Sequence, residues 1–259
     1  MKLFDTHAHI GLIHEDQMEQ LLIIQRAKRK AVSHIVSICN SLIDFEIVYN
    51  NLKTADGVYH AVGVSPSEVT NPGFNWEQKI NEFSKLERVI AIGEIGLDYY
   101  RNYGDKNSQV ELFIKQLDIA RSLKFPVIIH NRDAGKDILS ILKTRLGEDG
   151  GIFHCYSEDW NFAREALDLP MFFSFAGNIT YKNVRHLHET IYNLPLDRIL
   201  IESESPFMVP SAYKGKRNKP AYLEETAMAV ANIKGLDLEE TADALYKNSL
   251  RAFKLPEED

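Results

Sequence analysis

Seven side chains that could bind a cation or move a proton stand where short apolar runs end: Asp5, His7 and His9, then Glu94, His130, His154 and Glu204. Imidazole ligates zinc and its borderline neighbours, while carboxylate admits magnesium or manganese. Four histidines and two carboxylates brought together would therefore hold one or two divalent ions, Mg, Mn or Zn. An ion so held lowers the pKa of a bound water toward neutrality and polarises a phosphoryl or carbonyl oxygen. The chemistry within reach of these residues is metal-assisted hydrolysis.

Residues this far apart in sequence need a scaffold that returns the chain repeatedly to one place. Short β-rich runs alternate with stretches of helical period, the pattern of a parallel sheet wound with helices. Eight strands are predicted: Lys2 to His9, His34 to Cys39, Tyr59 to Val64, Val89 to Ile95, Pro126 to His130, Gly151 to Tyr156, Met171 to Phe175 and Arg198 to Glu204. Eight is the number that closes an α/β TIM (β/α)8 barrel, whose active sites form at the C-terminal ends of the strands. Nine helices are predicted, at 16–30, 43–53, 76–85, 108–123, 134–145, 159–167, 184–193, 222–233 and 238–253, the last an extra C-terminal one. At the fourth, Ser108 and Glu111 make a capping-box pattern.

Strand parity then converts the list into one face, because residues two apart point the same way. It groups Leu3, Asp5, His7 and His9; Ile90, Ile92 and Glu94; Ile128 and His130; Ile152 and His154; and Leu200, Glu202 and Glu204. In each group an apolar inward position precedes a polar one at the C-terminal end.

The bulk properties fit one such domain over residues 1–259. With 259 residues and 44% hydrophobic content the chain can bury a single large core. No apolar stretch near 20 residues and no charged, apolar leader is visible, which points to a cytoplasmic protein without a membrane partner. Cys39 and Cys155 fall in predicted strands and read as reduced, buried thiols, Cys155 turned away from the site by alternation. A formal net charge of −7 argues against holding nucleic acid by a general positive field, so a phosphate substrate needs locally placed cations. One segment supplies them: the loop from Ser205 to Ala221 carries Lys214, Lys216, Arg217 and Lys219.

Five segments together resemble the TatD family of metal-dependent deoxyribonucleases. They are Asp5-Thr6-His7-Ala8-His9, the stretch Gly93-Glu94-Ile95-Gly96-Leu97-Asp98-Tyr99-Tyr100, the stretch from Pro126 through His130-Asn131-Arg132-Asp133-Ala134, then Gly151-Ile152-Phe153-His154-Cys155-Tyr156-Ser157, and Gly215-Lys216-Arg217-Asn218-Lys219-Pro220. The resemblance runs in order over nearly the whole chain. It implies that His7, His9 and Glu94 bind one metal beside the strand-eight carboxylate, and that Glu94, His130 and His154 bind a second, Glu94 bridging. It implies a 3′-exonuclease acting on DNA, and sometimes RNA, with a divalent-ion requirement. Two positions depart from the family pattern: Glu204 stands where an aspartate is usual, and Ser65 where a histidine is usual. The extra methylene at Glu204 displaces a carboxylate by roughly an ångström, enough to change a rate substantially. A serine hydroxyl can donate one hydrogen bond but carries no charge at neutral pH.

Within that frame Glu204 is the catalytic general base. Arg132, Ser65, Lys216, Arg217 and Asn218 are the substrate-binding candidates, for nucleic-acid ends or another phosphorylated substrate. Arg132 has two readings: its planar fork clamps a phosphate, or it pairs with a site carboxylate, Glu202 being the partner by motif logic. Glu202 and Asp5 read as buried structural residues. Tyr99, Tyr100 and Tyr156 stand near strand ends where a base could stack. Two other functions use the same features: an ester or amide hydrolase such as a deacylase, and a weakened barrel retained as a binding subunit.

Overall fold

The computed structural model describes residues 1–256. Eight parallel strands, β1 (Leu3–Ala8), β2 (Val32–Ser37), β3 (Val58–Val62), β4 (Val89–Asp98), β5 (Val127–Arg132), β6 (Gly151–Phe153), β7 (Met171–Phe175) and β8 (Ile199–Ile201), pair in sequence order. Ten α-helices alternate with them: α1 (Ile10–Ile13), α2 (Gln17–Lys28), α3 (Leu42–Leu52), α4 (Trp76–Phe83), α5 (Lys106–Leu123), α6 (Gly135–Arg145), α7 (Trp160–Ala166), α8 (Arg185–Asn193), α9 (Leu223–Lys234) and α10 (Leu238–Ala252). The short α1 was not foreseen. The ring is nearly closed, and what joins its ends lies past β8: a bridge from Ala8 to Ser205, with the Glu204 N–H donating to the His7 carbonyl at 3.0 Å.

Two apolar layers follow from this closure. Phe4, Val36, Ala61, Ala91, Ile128, Ile152 and Leu200 fill the barrel, and Tyr246, Leu250 and Phe253 of the α10 region pack against them. Leu3, Ile35, Val58, Ile92, Ile129, Phe153, Phe173 and Ile199 form the outer layer under the helices. Helix starts are set by acceptors for otherwise orphaned N–H groups. Asp16, Ser41, Asp105, Asp159 and Asp237 all cap this way. At α5 the cap is Asp105, accepting from Ser108 N–H, so the helix begins two residues before the predicted Ser108.

Leu3 and Ile92 lie on the outer layer, contrary to their predicted grouping with His7 and Glu94, and the reason is register. Between Asp5 and Ala8, β1 uses three residues where β2 uses two, Ile35 to Ser37. Between Ile92 and Ile95, β4 likewise uses three where β5 uses two. One inserted residue reverses the alternation downstream. Phe4 and Ala91 face inward before the insertions, and His7, His9 and Glu94 take the inward positions after them. Ile90, at a further irregularity against β3, does pack on the inner layer. Among the described residues no helix is long and apolar enough to cross a membrane.

Candidate metal centre

The strand ends deliver six side chains to one place. His7 Nε2 lies 3.2 Å from His9 Nε2, 3.3 Å from Glu94 Oε2 and 3.3 Å from Glu204 Oε2. His9 Nε2 lies 3.6 Å from the same Glu94 oxygen and 3.9 Å from the same Glu204 oxygen. A second group adjoins it, with His130 Nδ1 3.2 Å from His154 Nε2 and 3.4 Å from Glu94 Oε1, and His154 Nε2 3.8 Å from Glu94 Oε2. Glu94 belongs to both, one carboxylate between two pairs of imidazoles.

These separations decide whether a metal fits. A tetrahedral ion about 2.1 Å from nitrogen and oxygen ligands spaces them roughly 3.4 Å apart, and the distances in the first group straddle that value. Two imidazole nitrogens facing each other at 3.2 Å cannot both be satisfied by one neutral hydrogen bond unless one donates, and Glu204 Oε2 and His9 Nδ1 are buried without a hydrogen-bond partner. The ion-pair partners of Glu94, Glu202 and Glu204 are imidazoles. A buried set of this kind is capable of holding divalent cations.

The electrostatics divide the histidines of the cluster. Burial, then the neighbouring His154, holds His7 well below its ordinary range, in the neutral form that ligates. Burial also lowers His9. Against its own burial, His154 is raised to about 9 by Glu202, Glu94 and Glu204. Burial pushes Glu204 upward, with Glu202 and Glu94 reinforcing and His154 opposing. Anionic groups thus crowd one buried volume, and a cation relieves the crowding.

Around this cluster stand side chains that hold the ligands. Asp98 Oδ2 is 3.1 Å from His130 Nε2, while its Oδ1 accepts the N–H groups of Tyr100 and Arg101. Burial works to raise Asp98, but the His130 and Arg101 contacts keep it below the usual carboxylate range. Glu202 Oε1 accepts the Cys155 N–H at 2.8 Å and lies 3.5 Å from His154 Nδ1. Carboxylates behind ligating histidines fix ring orientation and tautomer. Asp98 escaped the sequence reading because β4 runs three residues past its predicted end. The signal was present: Glu94 and Asp98 are four apart in one strand and so share a face.

Other candidates have different tasks from those predicted. Glu202 pairs with His154 and Cys155, not with Arg132. Asp5 is structural as read, accepting the Ser203 N–H at 2.8 Å. Ser65 Oγ donates to Glu94 Oε1 at 3.1 Å and so steadies a cluster carboxylate. Asn218 is buried, its amide donating to the carbonyls of Ser203 and Phe207, which latches the loop after β8. The Arg217 guanidinium donates to the carbonyls of Leu12 and Ile13, and Lys216 lies over Tyr213. These two cations of the basic loop are engaged with their own chain. Cys155 turns at a φ of +42° and lines the cleft with His130, His154 and Glu204, because β6 ends at Phe153 and alternation no longer applies. Of the three tyrosines, Tyr99 has Lys106 over its ring, Tyr100 has Arg132 over its ring while staying exposed, and Tyr156 is buried with its hydroxyl on the Asp159 carbonyl.

Comparison with known proteins gives one consistent picture. The family model described as "TatD related DNase" matches residues 4–254. A Bacillus subtilis protein described as an uncharacterized metal-dependent hydrolase, YabD, is 36% identical over 258 residues, covering 98% of this chain and 99% of its own. The Escherichia coli K12 protein YcfH, described in the same words, is 34% identical, covering 98% and 97%. Among solved structures, the TatD homologue YjjV of Escherichia coli K12 superposes with a TM-score of 0.91 at 25% identity over 98% of each chain. A TatD family hydrolase from Entamoeba histolytica shares the fold with a TM-score of 0.83 at 22% identity, covering 97% of this chain and 98% of its own.

Proposed function

Because the chain belongs to the TatD-related family of metal-dependent hydrolases, we propose that it cleaves phosphodiester bonds at the 3′ ends of DNA, with RNA as a second substrate. The observation that carries the reading is Glu94, whose two oxygens each face an imidazole set. On this reading His7, His9, Glu94 and Glu204 would hold one divalent ion, and Glu94, His130 and His154 would hold another. Ions bound there supply acidification of water and charge neutralisation at the phosphoryl oxygens.

The chain's own residues do the rest. Glu204 Oε2, buried and without a hydrogen-bond partner, accepts the proton of the attacking water. Its extra methylene does not keep it from the cluster: at a left-handed φ of +53°, and tied through its N–H to the His7 carbonyl, it reaches 3.3 Å from His7. Asp98 and Glu202 keep the rings of His130 and His154 in position. Arg132, on the cleft wall between His130 and the loop after β8, faces the substrate phosphate with a guanidinium that can bind two oxygens at once. Purified protein supplied with manganese or magnesium shortens single-stranded oligonucleotides, and the Glu94→Ala form does not. Equal activity in the two proteins contradicts the proposal.

A further inference from the structure

One cleft of about 230 Å³ opens beside the cluster, and two kinds of side chain line it. Arg101 and Arg132 are its cationic members. The Arg132 guanidinium lies 4.2 Å and that of Arg101 5.9 Å from the centre of the same Tyr100 ring. Among the described residues the arginines in ion pairs with carboxylates are Arg88, Arg121 and Arg145, so neither of these two is closed into an ion pair, although Arg132 stands near enough to Asp98 to lower its pKa. Two guanidinium groups gathered on one ring repel each other, while an aromatic face leaves their N–H forks free in the plane. An oxyanion between them satisfies both conditions.

The cleft also has apolar members. Phe207, Met208 and Tyr103 line it and are 50%, 38% and 39% exposed. Phe207 stands edge-on to His9 at 6.2 Å, so the apolar part of the lining begins at the cluster itself. Cations and aromatic rings in one cleft are the combination by which proteins hold single-stranded nucleic acid, charge following the backbone and rings taking the bases.

We infer that this cleft is a nucleotide subsite: Arg101 and Arg132, seated on Tyr100, hold the phosphate adjoining the scissile bond, and Phe207 with Tyr103 stacks on the base it carries. The assignment rests on the phosphodiesterase reading and narrows it to single-stranded ends, whose bases are free to stack.

The probes are a short single-stranded DNA and its abasic counterpart, titrated by fluorescence anisotropy with EDTA present so that neither is hydrolysed. Phe207→Ala weakens binding of the base-bearing strand about tenfold and leaves the abasic strand unchanged. Arg101→Gln weakens both strands and reduces the slope of log affinity against log salt by about one. Both positions are on the surface, and thermal melting checks that the variants are folded. If the two variants bind both strands as the wild type does, the subsite is overturned while hydrolysis by the wild type keeps the wider reading. A wild type that neither binds nor cleaves either strand overturns both.

Discussion

The two imidazole sets reach the same centre by different routes. His130 follows the inward Ile128 by unbroken alternation, and His154 stands just past the end of β6, two residues after the inward Ile152. His7, His9 and Glu94 arrive only because β1 and β4 each carry an inserted residue that reverses the alternation. One half of the centre is an ordinary consequence of the pleat, and the other depends on local departures from it. Such departures re-aim side chains at barrel rims.

That contrast is most exposed where the shifted strand meets the regular one. Gly96 has a φ of +144°, and a Cβ there would sit 2.0 Å from the His130 carbonyl oxygen. Gly96→Ala is expected to destabilise the protein by about 3 kcal/mol, combining backbone strain with displacement of β5. Urea denaturation measures it. The comparison breaks if the variant is as stable as wild type, since β4 would then have freedom that the shifted register denies.

The supporting carboxylates cross between the two routes. Asp98 on the shifted β4 orients His130 on β5, and Glu202 after β8 orients His154. Asp98→Asn and Glu202→Gln should each weaken metal binding by about 10- to 100-fold, measured by competition with a chelating dye. Losses of similar size would show that both halves need the same support. Unchanged affinity in Asp98→Asn would show that the regular strand positions His130 unaided.

A smaller effect belongs to the scaffold outside both sets. Burial, then Arg88, holds His60 on β3 down at about 4. The unfolded chain takes up this proton below about 6.5 while the fold resists it, so stability is full above 6.5 and declines as pH falls toward 4. The loss reaches about 2 kcal/mol by pH 5. His60→Phe should be less sensitive to acid than wild type by that amount in denaturation at pH 7 and pH 5. Equal acid sensitivity would remove His60 from the account.

The sequence made the barrel legible because strand and helix periods alternate eight times, and all eight strands lie where their β-rich runs are. Ligand positions on β5 and just past β6 and β8 were legible for the same reason. An inserted residue leaves no comparable trace in composition: nothing in Asp5 to Ala8 announces that Phe4, and not Leu3, faces inward. The loop after β8 misled for another reason. Lys216 and Arg217 read as free charge, yet a lysine can lie over a ring and an arginine can cap carbonyls, and those partners are remote in sequence. Asn218 likewise reads as a substrate-binding candidate until Ser203 and Phe207 supply carbonyls for it.

The central claim is that one carboxylate, Glu94, joins both imidazole sets into a metal centre. Isothermal titration of metal-stripped protein with manganese tests it directly. Wild type should bind two ions per chain, and Glu94→Ala should lose measurable binding at both positions. A Glu94→Ala protein that binds as many ions with the same affinity as wild type would contradict it.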